Sequence, residues 1–309
     1  MTTMTSDLAH GEGLPPELDP ARPLVASGNL RRRHVVSTFF SSLAVLATAF
    51  AVAVMVIVLW TVVSRGGSVI SWDFLTKAPP LFGCAGGGIG RAIAGTGLIV
   101  AIATAIAMPL GILIALYTSE FASPRARSFI RLVLDLLNGL PSIVIGIFAF
   151  GLLVAGHHQS AFAGSFALSI IMLPLIARAS QESLAQVPNG LREAANALGV
   201  GRRQSVLGVI LPSAMSGILT GTILAVARAA GETAPLLIVS SIYKGSYSFD
   251  FFGSAIPNIP VEIFRLSESA DPAGYERAWG AALVLVIFIL ATSVLGRMLF
   301  ARSKAKASR

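Results

Sequence analysis

Six stretches of this chain are each apolar over roughly the 20 residues that a helix needs to cross the hydrocarbon of a bilayer, and nothing else in it restricts the fold as much. They fall at about 38–63, 91–117, 128–155, 161–181, 206–240 and 276–299. With 54% hydrophobic and 12% charged residues in 309, the chain has more apolar surface than a soluble core of that size can hide. It reads as an all-α membrane protein with six spanning helices, in contact with membrane lipid. The net charge of +8 is assigned to basic residues at span ends, so no nucleic-acid partner is expected. One cysteine, Cys84, allows neither an internal disulfide nor a cysteine metal cluster.

Residues 1–34 are polar, carry Pro15, Pro16, Pro20 and Pro23, and show no hydrophobic period, which predicts a disordered tail. The membrane domain occupies 35–300, and 301–309 form a basic tail. The first span starts too late and runs too long for a signal peptide. Pro174 interrupts the fourth span, and the fifth is over-long, with Gly231 and Pro235 inside it. Because Pro235 cannot donate to the carbonyl four residues earlier, a break near Gly231 is expected. Broken backbone at that depth must be satisfied by protein or a water-lined cavity.

Lysine and arginine set the orientation. With both termini cytoplasmic, the inner segments hold Arg31, Arg32, Arg33, Arg125, Arg127, Arg131, Arg192, Arg202 and Arg203, whereas the outer segments are sparsely basic. The segment 182–205 is then cytoplasmic. Two outer loops, 64–90 and about 241–275, are long enough for structure. The first contains Trp72-Asp73-Phe74-Leu75-Thr76 and the run Gly86-Gly87-Gly88-Ile89-Gly90, read as a hinge rather than a phosphate cradle, since no Gly-Lys-Ser/Thr follows. The second is amphipathic around Val261-Glu262-Ile263-Phe264-Arg265-Leu266. It is expected along the outer membrane surface, within reach of an extracytoplasmic partner.

Between the fourth and fifth spans the order is Glu193-Ala194-Ala195, three residues, Gly199, nine residues, then Val209-Ile210-Leu211-Pro212. Glu193, Ala194, Ala195, Ala197 and Leu198 favour one or two helical turns, and Gly199, tolerant of positive φ, suits the stop after them. Glu193 in the first turn and Arg202 and Arg203 beyond the end would complement the dipole of such a helix. The segment can then project as a rigid knob that docks on a partner.

Arg228 and Glu232 lie inside the fifth span. A charge near a helix centre costs roughly 2.5–3.5 kcal/mol on insertion scales, so it should face the bundle interior and find a partner. Spacing of four places both on one helix face. One reading is a structural ion pair. The other makes Arg228 a planar donor for a tetrahedral oxyanion, with Glu232 orienting it and accepting the proton of a hydrogen-phosphate. Arg131 and Asp135 repeat the spacing and read as an interfacial pair with Arg131 snorkelling. Arg178 and Glu182 sit on one face near the approach to the 182–205 loop. Gly217 and Gly221 suit close contact with an unspecified helix. His157 and His158 lack a nearby third ligand. No G-x-x-x-x-G-K-S/T is present, so ATP, if used, is bound elsewhere.

The Glu193-to-Pro212 pattern, with Val209 where Ile is usual, resembles the cytoplasmic coupling loop of ABC-importer permeases. The segment Ala227-Arg228-Ala229-Ala230-Gly231-Glu232-Thr233-Ala234-Pro235-Leu236-Leu237 narrows the match to phosphate-specific (Pst) permeases, and to the PstA type more than its PstC partner. The resemblance covers about 72–299 and implies a type I ABC-importer permease fold in the cytoplasmic membrane. It implies a subunit that is no enzyme and holds no cofactor. Two ATP-binding subunits would carry ATP and Mg, beside a PstC-type second permease and an extracytoplasmic phosphate-binding protein. It implies alternating-access import of inorganic phosphate, with Arg228, Glu232 and Thr233 on the substrate pathway. Arg192, Glu193, Ala194, Ala195 and Gly199 would form the coupling loop, and Asn138, Gly139, Pro141 and Ser142 a gate. The residues alone leave open another oxyanion or small solute, or an ion channel or gradient-driven carrier using Arg228 and Glu232 as a charge relay.

Overall fold

Hydrocarbon offers no partner to backbone N–H and C=O groups, so apolar runs satisfy them internally as helices. The computed structural model describes residues 30–78, 87–241 and 251–307. The tail over 1–29, Cys84 and Gly86 lie outside the described residues. In chain order the helices are α1 (Leu30–Gly66), α2 (Trp72–Thr76), α3 (Gly90–Leu116), α4 (Pro124–Gly139), α5 (Ser142–Leu153), α6 (Ala161–Ala185), α7 (Asn189–Ala197), α8 (Arg202–Ser205), α9 (Leu211–Ala230), α10 (Ala234–Val239), α11 (Ile259–Ser267) and α12 (Pro272–Ala307). π turns at Tyr117–Phe121 and Val206–Ile210 extend α3 and join α8 to α9. Among the described residues, five passages are long and apolar enough to cross a membrane, and the pair α4 and α5 makes a sixth if taken together.

The chain divides into two units, Met1–Leu59 and Trp60–Arg309. In the first, α1 already includes Arg31 to His34, which the sequence places in the tail, and the described side chains from Arg32 to Leu59 are all exposed. In the second, α3 and α6 form the most extensive pairing, and α6 also packs on α9. Ile99, Ala103, Leu168, Met172, Ala225 and Ala229 fill their common core.

Small residues permit close approach between membrane helices. A Cβ on Gly217 would fall 2.4 Å from Ser183 Oγ, and one on Gly221 2.1 Å from Ala179 Cβ. The partner of the Gly217 and Gly221 face is therefore α6.

Three expectations change. Pro174 does not interrupt α6, which runs unbroken through it with the proline buried among its neighbours. The stretch 128–155 is not one straight helix: α4 and α5 meet at 100°. Leu140 and Pro141 are extended, at φ/ψ of −68/135 and −58/133, as the clash before a proline demands. The segment 261–266 is seated on protein along one side, where Ile259, Pro260, Val261 and Glu262 of α11 are buried with α11 packed on α3 and α12, and Phe264 and Arg265 are exposed. The Ile259 amide donates to Thr96 Oγ1 at 2.8 Å, and a Cβ on Gly95 would meet the Pro257 carbonyl oxygen at 1.9 Å.

Gly88, Ile89 and Gly90, at the described end of the glycine run, are packed rather than hinged. The amides of Gly88, Ile89 and Gly90 donate to the carbonyls of Ala78, Phe74 and Lys77, and a Cβ on Gly88 would sit 2.2 Å from the Phe74 oxygen.

Candidate functional site

α9 stops at Ala230 and α10 begins at Ala234. Pro235 has no amide to offer the Gly231 carbonyl, so the helix ends there with a tight turn. The amides of Gly231 and Glu232 donate to the carbonyls of Arg228 and Ala229 at 3.1 and 3.2 Å. Thr233 then opens α10, its carbonyl accepting from the Leu237 amide at 2.9 Å. The break therefore falls between the two charged residues, which the sequence places on one continuous helix face. They still meet, with Arg228 Nε 3.5 Å from Glu232 Oε1.

Arg228 does not face the interior of this chain's own bundle. Its side chain is 53% exposed and that of Glu232 16%. On the same face of α9, Ser213, Ser216, Thr220 and Leu224 are exposed at spacings of three or four. The Ser213 and Thr220 hydroxyls donate back to the carbonyls of Val209 and Ser216, at 2.6 and 2.8 Å. A largely polar stripe thus climbs α9 to the guanidinium.

The α4–α5 corner carries Asn138, Gly139 and Pro141, all exposed, and half-buried Ser142. No atom lies within 4 Å of where a Gly139 Cβ would sit. From the corner, α5 packs on α10, so closely that a Cβ on Gly146 would be 2.8 Å from Pro235 Cα. The bend at Pro141 and the break at Gly231 are thus joined through one helix contact. Asp135 pairs with Arg178 of α6 rather than with Arg131, because α6 crosses that side of α4.

At the far end of α9, Pro188 caps the start of α7. The helix begins at Asn189, so Glu193 lies in its middle rather than its first turn, and Arg202 and Arg203 open α8. Gly199 ends the unit at φ +70, where its amide donates to Asn196 O at 3.0 Å and Val200 N to Ala195 O at 3.1 Å, a glycine-ended C-cap. Ala195 is buried, Glu193 and Ala194 are exposed, and Leu198 at the tip is 81% exposed. A knob results whose exposed tip is Leu198, flanked by Glu193 and Asn196 as well as by Ala194 and Ala197.

Its base is held by Arg192 and Arg202, which the sequence reading places in the loop, on Thr118, Glu120, Phe121 and Gln181, which it missed. The π turn after α3 closes with Ala122 N donating to Tyr117 O at 2.7 Å. Arg192 reaches Glu120 in that turn at 3.0 Å and the Leu184 carbonyl at 3.0 Å. Arg202 donates to the Glu120 carbonyl and lies 5.3 Å from the Phe121 ring centroid. Arg127 Nε donates to Thr118 O at 2.9 Å, and Gln181 to Thr118 Oγ1 at 2.7 Å. The one visible signal was Glu120, an acid closing a span uncharged from Ala92 onward. The knob and the Arg228 break lie roughly 40 Å apart along the continuous Arg202–Ala230 passage, at 1.5 Å per residue.

A multi-pass helical body with a charged break at one end of a passage and an exposed knob before its other end, roughly 40 Å away, is the build of a membrane transport subunit. Its relatives give the class a family. Residues 107–306 match the family described as "Binding-protein-dependent transport system inner membrane component", and the chain belongs to that family. It is 36% identical over 294 residues to phosphate transport system permease protein PstA 1 of Mycobacterium tuberculosis (strain CDC 1551 / Oshkosh), covering 91% of this chain and 93% of that one. It is 37% identical over 249 residues to phosphate transport system permease protein PstA of Yersinia pestis, covering 80% and 84%. Among solved structures, a bacterial alginate ABC transporter in complex with alginate pentasaccharide-bound periplasmic protein shares the fold. The TM-score is 0.59 at 15% identity, over 89% of this chain and 96% of that one. An inward-facing MetNI methionine ABC transporter aligns at TM-score 0.52 and 19% identity, over 69% and 92%. The chain is thus a multi-pass permease subunit of the cytoplasmic membrane, with the type I importer fold.

Proposed function

We propose that this chain is one permease of an ATP-driven importer for inorganic phosphate, working by alternating access. The observation that carries the reading is Arg228, held at a helix break by Glu232 on a face of α9 that this chain leaves open. A guanidinium turned to lipid would cost roughly 2.5–3.5 kcal/mol on insertion scales. The stripe from Ser213 to Arg228 therefore faces a second permease, of the PstC type, across a water-lined pathway. The naming of the relatives as phosphate permeases supports the choice of anion.

Arg228 presents a planar pair of donors to a tetrahedral oxyanion. Glu232 fixes the guanidinium and accepts the proton of hydrogen-phosphate, whereas sulfate would bring no proton and meet an unpaired carboxylate. Thr233, at the start of α10, lines the same break. Two cytoplasmic ATP-binding subunits carry ATP and Mg and grip α7 through Ala194 and Leu198, and an extracytoplasmic phosphate-binding protein delivers the anion. Arg192, anchored on Glu120, and the turn at Gly199 transmit the motion. The hinged corner from Asn138 to Ser142, linked to α10 through Gly146, gates the path. Energy enters only through contacts that differ between the two states.

In the complete reconstituted transporter, Arg228→Gln should lower phosphate uptake roughly tenfold or more, because a charge-assisted bond is worth about 1.5–3 kcal/mol, while the subunits still co-purify. Glu232→Gln should narrow the preference for phosphate over sulfate. Unchanged uptake in the first variant would remove Arg228 from the pathway.

A further inference from the structure

We propose that the end of the bundle bearing α7 holds a built site for one anionic phospholipid, with its phosphodiester at Arg131 and Arg192 and its acyl chains between α3 and α4. This site is separate from the Arg228 break and does not depend on which solute is carried.

The polar half is a cavity of about 190 Å³ lined by Thr118, Ser119, Arg127, Arg131, Gln181 and Arg192. Its donors are not all engaged. Arg127 donates to the carbonyls of Thr118 and Ser119, Arg192 Nη2 donates to Glu120 and to the Leu184 carbonyl, and Arg192 Nη1 donates to Asn189 Oδ1. Arg192 Nε, however, is buried without a hydrogen-bond partner. Arg131 makes no hydrogen bond or ion pair among the described residues, since Asp135 is taken by Arg178. Three guanidiniums thus converge on one cavity whose nearby carboxylate, Glu120, is already paired. A buried donor left unpaired costs about 1–3 kcal/mol, and an oxyanion between Arg131 and Arg192 Nε would relieve that cost.

The apolar half is lined by other residues of the same helices, Tyr117 and Ile130 in it being next in the chain to Thr118 and Arg131 of the polar half. A groove of about 420 Å³ is lined by Leu113, Tyr117, Phe129, Val133, Leu137 and Leu173, among others, with almost no polar atom. Leu113 precedes Thr118 by five residues on α3, about 8 Å deeper by helical rise, and Leu173 precedes Gln181 by eight on α6, about 12 Å deeper. The order along both helices is therefore phosphate-binding donors at the interface, then hydrocarbon-lined space below. Free phosphate has no use for the groove, and a peptide has none for a membrane-embedded slot. Only a phospholipid carries both chemistries in that order. α4 itself has the build of an interfacial helix, with Arg127 and Arg131 on the side away from Phe129, Val133 and Leu137. A zwitterionic lipid would bring an ammonium towards the three arginines, which selects for an anionic head.

The test is native mass spectrometry of the intact transporter, purified in detergent and incubated with phosphatidylglycerol, with phosphatidylcholine, or with inorganic phosphate. The transporter should retain phosphatidylglycerol over phosphatidylcholine. Arg131→Gln should lower that retention roughly fivefold, since one basic residue beside an anionic head contributes about 1 kcal/mol. Val133→Trp should lower it by filling the groove while every charge remains, and it serves if the arginine variant misassembles. Equal retention of both lipids would overturn the proposal, as would retention unchanged in both variants. Displacement of phosphatidylglycerol by millimolar phosphate, with Val133→Trp silent, would make this a free-anion pocket and equally overturn it.

Discussion

Glu262 illustrates what a single residue can cost. Its side chain is 3% exposed, its nearest cation is Arg265 Nη1 at 3.7 Å, and Oε2 has no hydrogen bond. Burial raises its pKa above the usual carboxylate range, and the Arg265 charge pulls it back in part. A raised folded-state pKa means that the native chain holds a proton which the unfolded chain releases. The associated stability is fully present below the ordinary carboxylate pKa and is lost as pH rises through the folded value. Glu262→Gln should therefore raise the Tm of the purified chain at neutral pH, by a change of about 1–3 kcal/mol. Its advantage over the parent should vanish on acidification through that window. A thermal-melt series showing a pH-independent difference would contradict this account. Some charges were legible without a structure, others were not. Arg228 and Glu232 are four residues apart and do pair; Arg131 and Asp135 have the same spacing and do not, because local spacing says nothing of Arg178 arriving on another helix.

Prolines make the same point for elements. Each lacks one donor, which the sequence announces, yet α6 continues through Pro174 while the chain bends at Pro141 and breaks before Pro235. Pro174 is buried inside a packed bundle that holds its helix, whereas Gly139 beside Pro141 has open space around it. Neighbours decide, and they are invisible in one dimension. Gly199 was legible because a helix stop at positive φ has a chemical signature, and φ is +70. Its Cβ position is open, so Gly199→Val acts through backbone strain alone, of about 1–3 kcal/mol. ATPase activity should persist in that variant while uptake per ATP falls severalfold, and normal coupling would dismiss α7 as the lever. Gly221→Leu differs, since its Cβ would already overlap Ala179. It should destabilise the α6–α9 pair by about 1–3 kcal/mol or more, seen as a lower Tm or lost membrane assembly.

At the scale of the whole molecule, the apolar passages were legible because hydrocarbon imposes one solution on backbone polar groups. The packing of α11 between α3 and α12 was not, because an amphipathic nine-residue helix suits a membrane surface and a protein groove equally well. Orientation rests on the arginine asymmetry and has a direct check. With Cys84 replaced, Leu198→Cys should react with a membrane-impermeant maleimide only in inside-out vesicles, and Glu268→Cys only in right-side-out ones. The reverse pattern would invert the topology.

At Gly217 and Gly221 the backbone of α9 comes up against the small side chains of Ser183 and Ala179 on α6. Two rods separated only by a hydroxymethyl and a methyl group have little slack between them, as a stiff arm requires. On the mechanism proposed above, a push on the knob at one extremity would pass midway undiminished. It would be discharged at the open corner beside Gly139 and at the interruption after Ala230.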